Sequence, residues 1–125
     1  MAERERVAGR VVVCASDALA EGGDGVRFEV RRGGAAASAF AIRHDGRVYA
    51  YVNRCAHVGV ELDWQPGRFF DADGMVLLCS THGATYDPAT GACLGGPCRG
   101  GGLLPVAVEE VDGAVILKEQ AGNHG

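Results

Sequence analysis

Two short half-motifs constrain this chain more than any other feature: Cys55-Ala56-His57 and Cys79-Ser80-Thr81-His82-Gly83, with His57 and Cys79 22 positions apart. The first is C-x-H and the second C-x-x-H-G, so each supplies one thiol and one imidazole. Two loops carried at the ends of paired strands can clamp one metal centre between such halves. One reading is an iron–sulfur cluster in which one iron takes both sulfurs and the other takes both nitrogens. Imidazole is neutral where thiolate is charged, so this exchange raises the reduction potential. The competing reading is structural zinc, which also takes two Cys and two His. Zinc fingers group the two Cys together and the two His together. Here each half mixes them, which favours iron.

The remaining composition bounds the fold. A chain of 125 residues, 47% hydrophobic, fits one domain with a modest core. Twenty glycines are too many for a helical protein and point to tight turns and a loop-built site. The net charge of −4 argues against nucleic acid, where a basic face is expected, and suits steering toward a basic protein partner. No apolar run approaches the ~18 residues of a membrane span. The charged start Met1-Ala2-Glu3-Arg4-Glu5-Arg6 has no hydrophobic stretch behind it, so no signal peptide, no membrane contact and a cytoplasmic setting are expected. Five cysteines, an odd number, do not read as a disulfide framework, and a reducing compartment is expected.

Period-2 segments recur between Gly and Asp turns. Residues 26–30 alternate apolar and charged, as a half-buried strand does. Residues 38–43 and 47–53 flank His44-Asp45-Gly46, and Asp-Gly is a strong hairpin signal. Residues 11–14, 75–79, 104–111 and 114–118 complete the strands, the last two joined at Asp112-Gly113. Residues 16–20 allow one helical turn at most, and residues 22–23, 35–37 and 100–102 read as loops. The expected fold is all-β, an antiparallel sandwich or barrel. Residues 64–70, with Trp64, Phe69 and Phe70, are expected to pack over its base, and His44 and His124 to be solvated.

The two half-motifs, continued by Tyr86-Asp87-Pro88-Ala89-Thr90-Gly91 and the Gly95-Gly96-Pro97 turn, resemble the Rieske 2Fe-2S signature. The resemblance covers roughly residues 10–118 and is closest to the small soluble Rieske-type ferredoxins. It implies a single Rieske domain over residues 1–125: a β base with a small inserted cluster-binding subdomain, here about 53–99. It implies one 2Fe-2S cluster per chain, with Cys55 and Cys79 on one iron and His57 and His82 on the other. It also implies that the Gly95–Pro97 loop covers the cluster.

Departures from the high-potential respiratory members carry expectations of their own. Those proteins have an extra Cys after each half-motif, joined in a disulfide; this chain has Val60 and Thr81 there. They have a Ser donor where this chain has Ala84. Tyr86 matches a Tyr whose hydroxyl reaches a ligand sulfur, the alternative being a core aromatic with its hydroxyl at the surface. The expected midpoint lies toward the low end of the ~−150 to +300 mV Rieske range. Cys14 reads as a buried, inert thiol, and Cys93 and Cys98 as free thiols near the cluster rim rather than a disulfide.

The function implied is one-electron transfer. The resemblance points to a non-enzymatic ferredoxin component that takes electrons from a flavin-dependent reductase and passes them to a terminal oxygenase or reductase. The alternative is a small accessory subunit of a nitrite reductase-like complex. A catalytic oxygenase subunit is set aside, because only His44 and His124 remain for a second iron and neither has a matching context.

Overall fold

In the computed structural model, residues 6, 7, 10–55, 61–63, 65–79, 83–98 and 101–118 are described. The expected all-β fold is found, as three small antiparallel sheets. The first has the order β1 (Arg6–Val7), β2 (Arg10–Ala15), β10 (Ala114–Leu117), β9 (Val108–Val111). The second is β3 (Val26–Arg32), β4 (Ala35–His44), β5 (Arg47–Val52), and the third is β6 (Leu77–Leu78), β7 (Thr85–Tyr86), β8 (Cys93–Gly95). A single 3₁₀ turn spans Ser16–Ala18. Among the described residues no helix is long and apolar enough to cross a membrane.

Both Asp-Gly hairpins form as expected. Asp45 and Gly46 have φ of 53° and 78°, and Asp112 and Gly113 have 50° and 80°. Two successive positive φ values match the right-handed twist of the flanking strands, and the short Asp side chain tolerates them. Glu21 reinforces the first turn by accepting from the backbone N–H of Asp45 and Gly46. Those two donors hold its carboxyl below the ordinary range.

Three expectations are corrected. Residues 35–37 are not a loop; they lie in β4, paired with β3 from Arg32↔Ala35 to Val30↔Ala37. Alanine has weak strand preference, but the long partner strand and the Gly33-Gly34 turn impose the pairing. The segment 104–111 is a strand only over Val108–Val111, because Pro105 supports no more than a single bridge to Tyr51. His44 is half-buried rather than solvated, with its ring 6.5 Å from those of both Tyr49 and Phe70. His124 lies outside the described residues.

Strand β4 separates two cores. Phe40 and Ile42 join Tyr51, Leu62, Phe69, Leu77, Cys55, Cys79, Ala84, Tyr86, Cys98 and Leu103 on one side. Ala39 and Ala41 join Phe28, Val30, Ala50, Val52, Val106, Val115 and Leu117 on the other. A strand buried on both faces reads as the unbroken apolar run Ala39-Phe40-Ala41-Ile42. Large side chains face the core that contains both half-motif cysteines, and alanines face the other. Phe69 stacks on Phe40 with ring centroids 4.0 Å apart and Phe70 is partly buried, while residues 65, 66 and 68 of the same segment are exposed; Trp64 lies outside the described residues.

An ion pair fastens the far end of β4. Arg43 forks onto Glu110 through contacts of 2.6 and 3.2 Å, and also donates to the carbonyls of Leu19 and Ser16. The guanidinium holds the Glu110 carboxyl below the ordinary glutamate range, with burial opposing. A depressed folded-state pKa contributes stability above the unfolded value, near 4.5 here, and loses it as pH falls through the folded one. Glu110 is a third exposed, so solvent screening limits this to about 1 kcal/mol. Glu110→Gln is therefore expected to lower the urea midpoint at pH 7 and to lower it less at pH 3. Equal losses at both pH values would contradict the linkage.

Candidate metal centre

The first half-motif leaves the sheet at the end of β5. Asn53 N–H donates to the Ser38 carbonyl at 2.8 Å, and the chain turns immediately into Cys55. The Asn53 side chain is buried and does two things. Its Oδ1 accepts from Leu62 N–H at 2.9 Å, and its Nδ2 donates to Asp63 Oδ1 at 2.9 Å. One amide thus ties Asn53 to Leu62 and Asp63. Asp63 in turn accepts from Gly67 N–H at 2.9 Å and lies 3.4 Å from Arg27 Nε, while Arg27 also pairs with Glu61. Neither Asn53 nor Asp63 stood out in the sequence, because the stretch between them carries no periodic signal.

Cys79 and Gly83 of the second half-motif lie between β6 and β7. Cys79 N–H donates to the Ala84 carbonyl, and Gly83 N–H donates back to the Cys79 carbonyl, both at 2.8 Å. Gly83 has φ of 76°, the left-handed conformation that closes such a turn without a Cβ penalty. Cys55 and Cys79 are 1% and 0% exposed, share one buried cluster, and neither is in a disulfide. His57 and His82 lie outside the described residues, as do Val60 and Thr81.

Tyr86 resolves one alternative. It is fully buried, and its hydroxyl lies 3.4 Å from Cys55 Sγ. Its burial excludes a hydroxyl at the surface and leaves it at hydrogen-bonding distance from the sulfur. When Cys55 is a thiolate, Tyr86 is the donor. The turn that follows is fixed through Asp87 Oδ1, which accepts from Ala89 and Thr90 N–H at 2.8 and 3.3 Å. Tyr51 hydroxyl donates to the Pro88 carbonyl at 2.8 Å, pinning the turn to β5, and burial pushes that phenol well above its ordinary pKa. Ala84 is fully buried and offers no side-chain donor.

The Gly95-Gly96-Pro97 loop packs against the second half-motif. Gly96 has φ of 83°, and a Cβ there would sit 2.8 Å from the Gly83 carbonyl oxygen and 2.9 Å from Ala84 Cα. Only glycine permits this backbone approach. The flanking cysteines overturn an expectation: Cys93 and Cys98 are not free thiols but a disulfide, with Cα atoms 5.6 Å apart. The glycine-proline turn folds the chain back on itself and brings them into bonding range. Cys14 is half-buried, and burial raises its thiol above the ordinary value, in line with an inert role.

The donor chemistry fits an iron–sulfur group. Two buried cysteines remain outside any disulfide, a phenol is aimed at one of them, and a side-chain-free backbone covers the turn that begins at the other.

Comparisons with known proteins agree. A family model described as the Rieske [2Fe-2S] domain matches residues 9–112. A search among curated proteins finds no match. Among solved structures, a ferredoxin of Sphingomonas yanoikuyae B1 superposes with a TM-score of 0.67 at 23% identity, covering 89% of this chain and 99% of that one. The ferredoxin of carbazole 1,9a-dioxygenase from Nocardioides aromaticivorans IC177 gives 0.68 at 23% identity, covering 89% and 98%. A structure described as the complex of reduced oxygenase and oxidized ferredoxin in carbazole 1,9a-dioxygenase gives 0.66 at 28% identity, covering 92% of this chain and 94% of that one.

Proposed function

Since this chain belongs to the Rieske [2Fe-2S] domain family, we propose that it is a one-electron carrier whose cluster is held by Cys55, His57, Cys79 and His82. The observation that carries this reading is the pair of buried cysteines in one core cluster, with the Tyr86 hydroxyl 3.4 Å from one sulfur. The 2Fe-2S cluster, when bound, supplies one reversible electron. The protein's own residues do the rest. Asn53 and Asp63 hold the base of the first loop, the Cys79–Ala84 turn fixes the second, and Gly96 lets the third lie close. Residues 53–99 act as the cluster-binding subdomain.

In this reading the donor is a flavin-dependent reductase and the acceptor a terminal oxygenase, in a cytoplasmic, reducing setting. The likeness to ferredoxins of oxygenase systems supports it, as does an acidic net charge suited to brief, electrostatically guided contacts. The test is an anaerobic absorption spectrum before and after dithionite, followed by turnover with a flavin reductase. A visible spectrum that bleaches with one electron per chain, passed on by a monomer, is the expected result. A colourless protein holding one zinc ion would overturn the carrier assignment, and a stable complex with a partner would mark a fixed subunit instead.

Tyr86→Phe tests the phenol. Its hydroxyl stabilises negative charge on Cys55 Sγ, and that charge grows on reduction. Removing it is expected to lower the midpoint by roughly 20–65 mV, the one-electron equivalent of about 0.5–1.5 kcal/mol, with iron content unchanged. A protein-film voltammogram with an unmoved midpoint would show that the hydroxyl does not act on the sulfur.

A further inference from the structure

We propose that Cys93 and Cys98 form a reversible two-electron thiol–disulfide couple that clamps the Gly95-Gly96-Pro97 loop onto the second half-motif and transmits thiol redox state to the metal centre. The cytoplasmic setting assumed for this couple rests on the function proposed above; its geometry does not.

The bond joins residues only five positions apart. Chain-entropy gain from a disulfide grows with the loop it closes, so a ring this small is poorly suited to a purely stabilising role. Its position is more telling. Cys93 begins β8 and pairs with Tyr86 across the ladder, and Gly95 pairs with Thr85. Gly96 then lies against Gly83 and Ala84, the residues that close the Cys79 turn. The disulfide therefore staples the loop that covers one half-motif, and opening it releases that cover.

The two sulfurs differ in access. Cys98 is 2% exposed, while Cys93 is only partly buried. An attacking thiolate reaches Cys93 Sγ and displaces Cys98. Acceptors for the incoming protons are already in place: the Gly95 carbonyl lies 3.2 Å from Cys98 Sγ and 3.8 Å from Cys93 Sγ, and the Thr85 carbonyl 3.5 Å from Cys98 Sγ. The co-reactant is a small or protein dithiol. It forms a mixed disulfide at Cys93, its second sulfur then displaces Cys93, and it leaves as a disulfide. It loses two electrons and two protons, and the two cysteines gain them. In a reducing compartment disulfides are usually transient, and those that form are redox-sensing or catalytic.

The experiment poises the metal-loaded protein anaerobically across a series of reduced and oxidised dithiothreitol buffers. Alkylation at Cys93 and Cys98 is read by peptide mass spectrometry, and amide exchange and visible circular dichroism are read alongside. The two cysteines are expected to open together in one two-electron transition. Exchange at Gly83, Ala84, Gly95 and Gly96 should rise roughly tenfold with it, and the visible dichroism should change with the same midpoint. The Cys93→Ser/Cys98→Ser double variant should hold the open-state signature in every buffer. A pair that stays closed in the folded protein under excess dithiol would overturn the proposal, as would opening that leaves exchange at Gly83 and Ala84 unchanged. Alkylation and exchange do not depend on the cluster, so a colourless protein would refute the carrier reading while leaving these two arms intact.

Discussion

Cys79→Ser is expected to yield a folded protein with little or no iron and no visible absorption. Cys79 is fully buried at the mouth of a turn closed by two backbone hydrogen bonds, so a replacement side chain points where the thiol did. A serine hydroxyl is a far weaker anionic ligand than a thiolate at neutral pH, because its proton is held much more tightly. The burial of a hydroxyl adds a stability cost of about 1–3 kcal/mol. Far-ultraviolet dichroism separates that cost from metal loss, and Cys79→Ala, which buries no polar atom, should lose the iron equally. Cys14→Ser serves as the contrast, since Cys14 lies in the other core and should keep full occupancy. Retention of normal iron and sulfide by both Cys79 variants would show that the metal is held elsewhere.

Asp63→Ala is expected to lower stability by about 1–3 kcal/mol, the usual cost of leaving hydrogen-bond donors without their buried acceptor. The Asp63 side chain is fully buried. Its loss takes the acceptor from Asn53 Nδ2 and Gly67 N–H, while Arg27, part-exposed, keeps Glu61. Asn53 then lacks the contact that orients the amide whose oxygen holds Leu62, and the base of the first half-motif loosens. Iron should be lost faster to a chelator, beyond what the fall in urea midpoint predicts. Asp63→Asn, which keeps a carbonyl acceptor, should cost less. A loss below about 1 kcal/mol for Asp63→Ala would mean that the network does not hold the loop.

The network also explains where the sequence fell silent. The half-motifs announce themselves because ligand chemistry demands particular residue types at short spacing. Asn53 and Asp63 announce nothing, since an amide and a carboxylate are ordinary loop residues until the fold buries them together. The Cys93–Cys98 disulfide was hidden for a related reason. Spacing of five says only that the residues are close along the chain; the left-handed turn at Gly96 decides that their sulfurs meet. Tyr86 is ambiguous between a core ring with a surface hydroxyl and a sulfur donor until the fold buries it with the hydroxyl 3.4 Å from Cys55 Sγ. The phenol contact and the absence of a side-chain donor at Ala84 act in opposite directions on the midpoint, so Tyr86→Phe measures how far the first offsets the second.

The sequence alone determined the all-β class, the two Asp-Gly hairpins and the identity of the paired Cys-His half-motifs. Each of these is written in local spacing or in a backbone conformation that few residues tolerate. Tertiary structure alone decided that alanines 35–37 join a strand, that β4 is buried on both faces, and that an amide and a carboxylate ten residues apart in the chain secure one loop. Those outcomes depend on which distant segments meet, and pairing energies across space override the weak preferences of single residues.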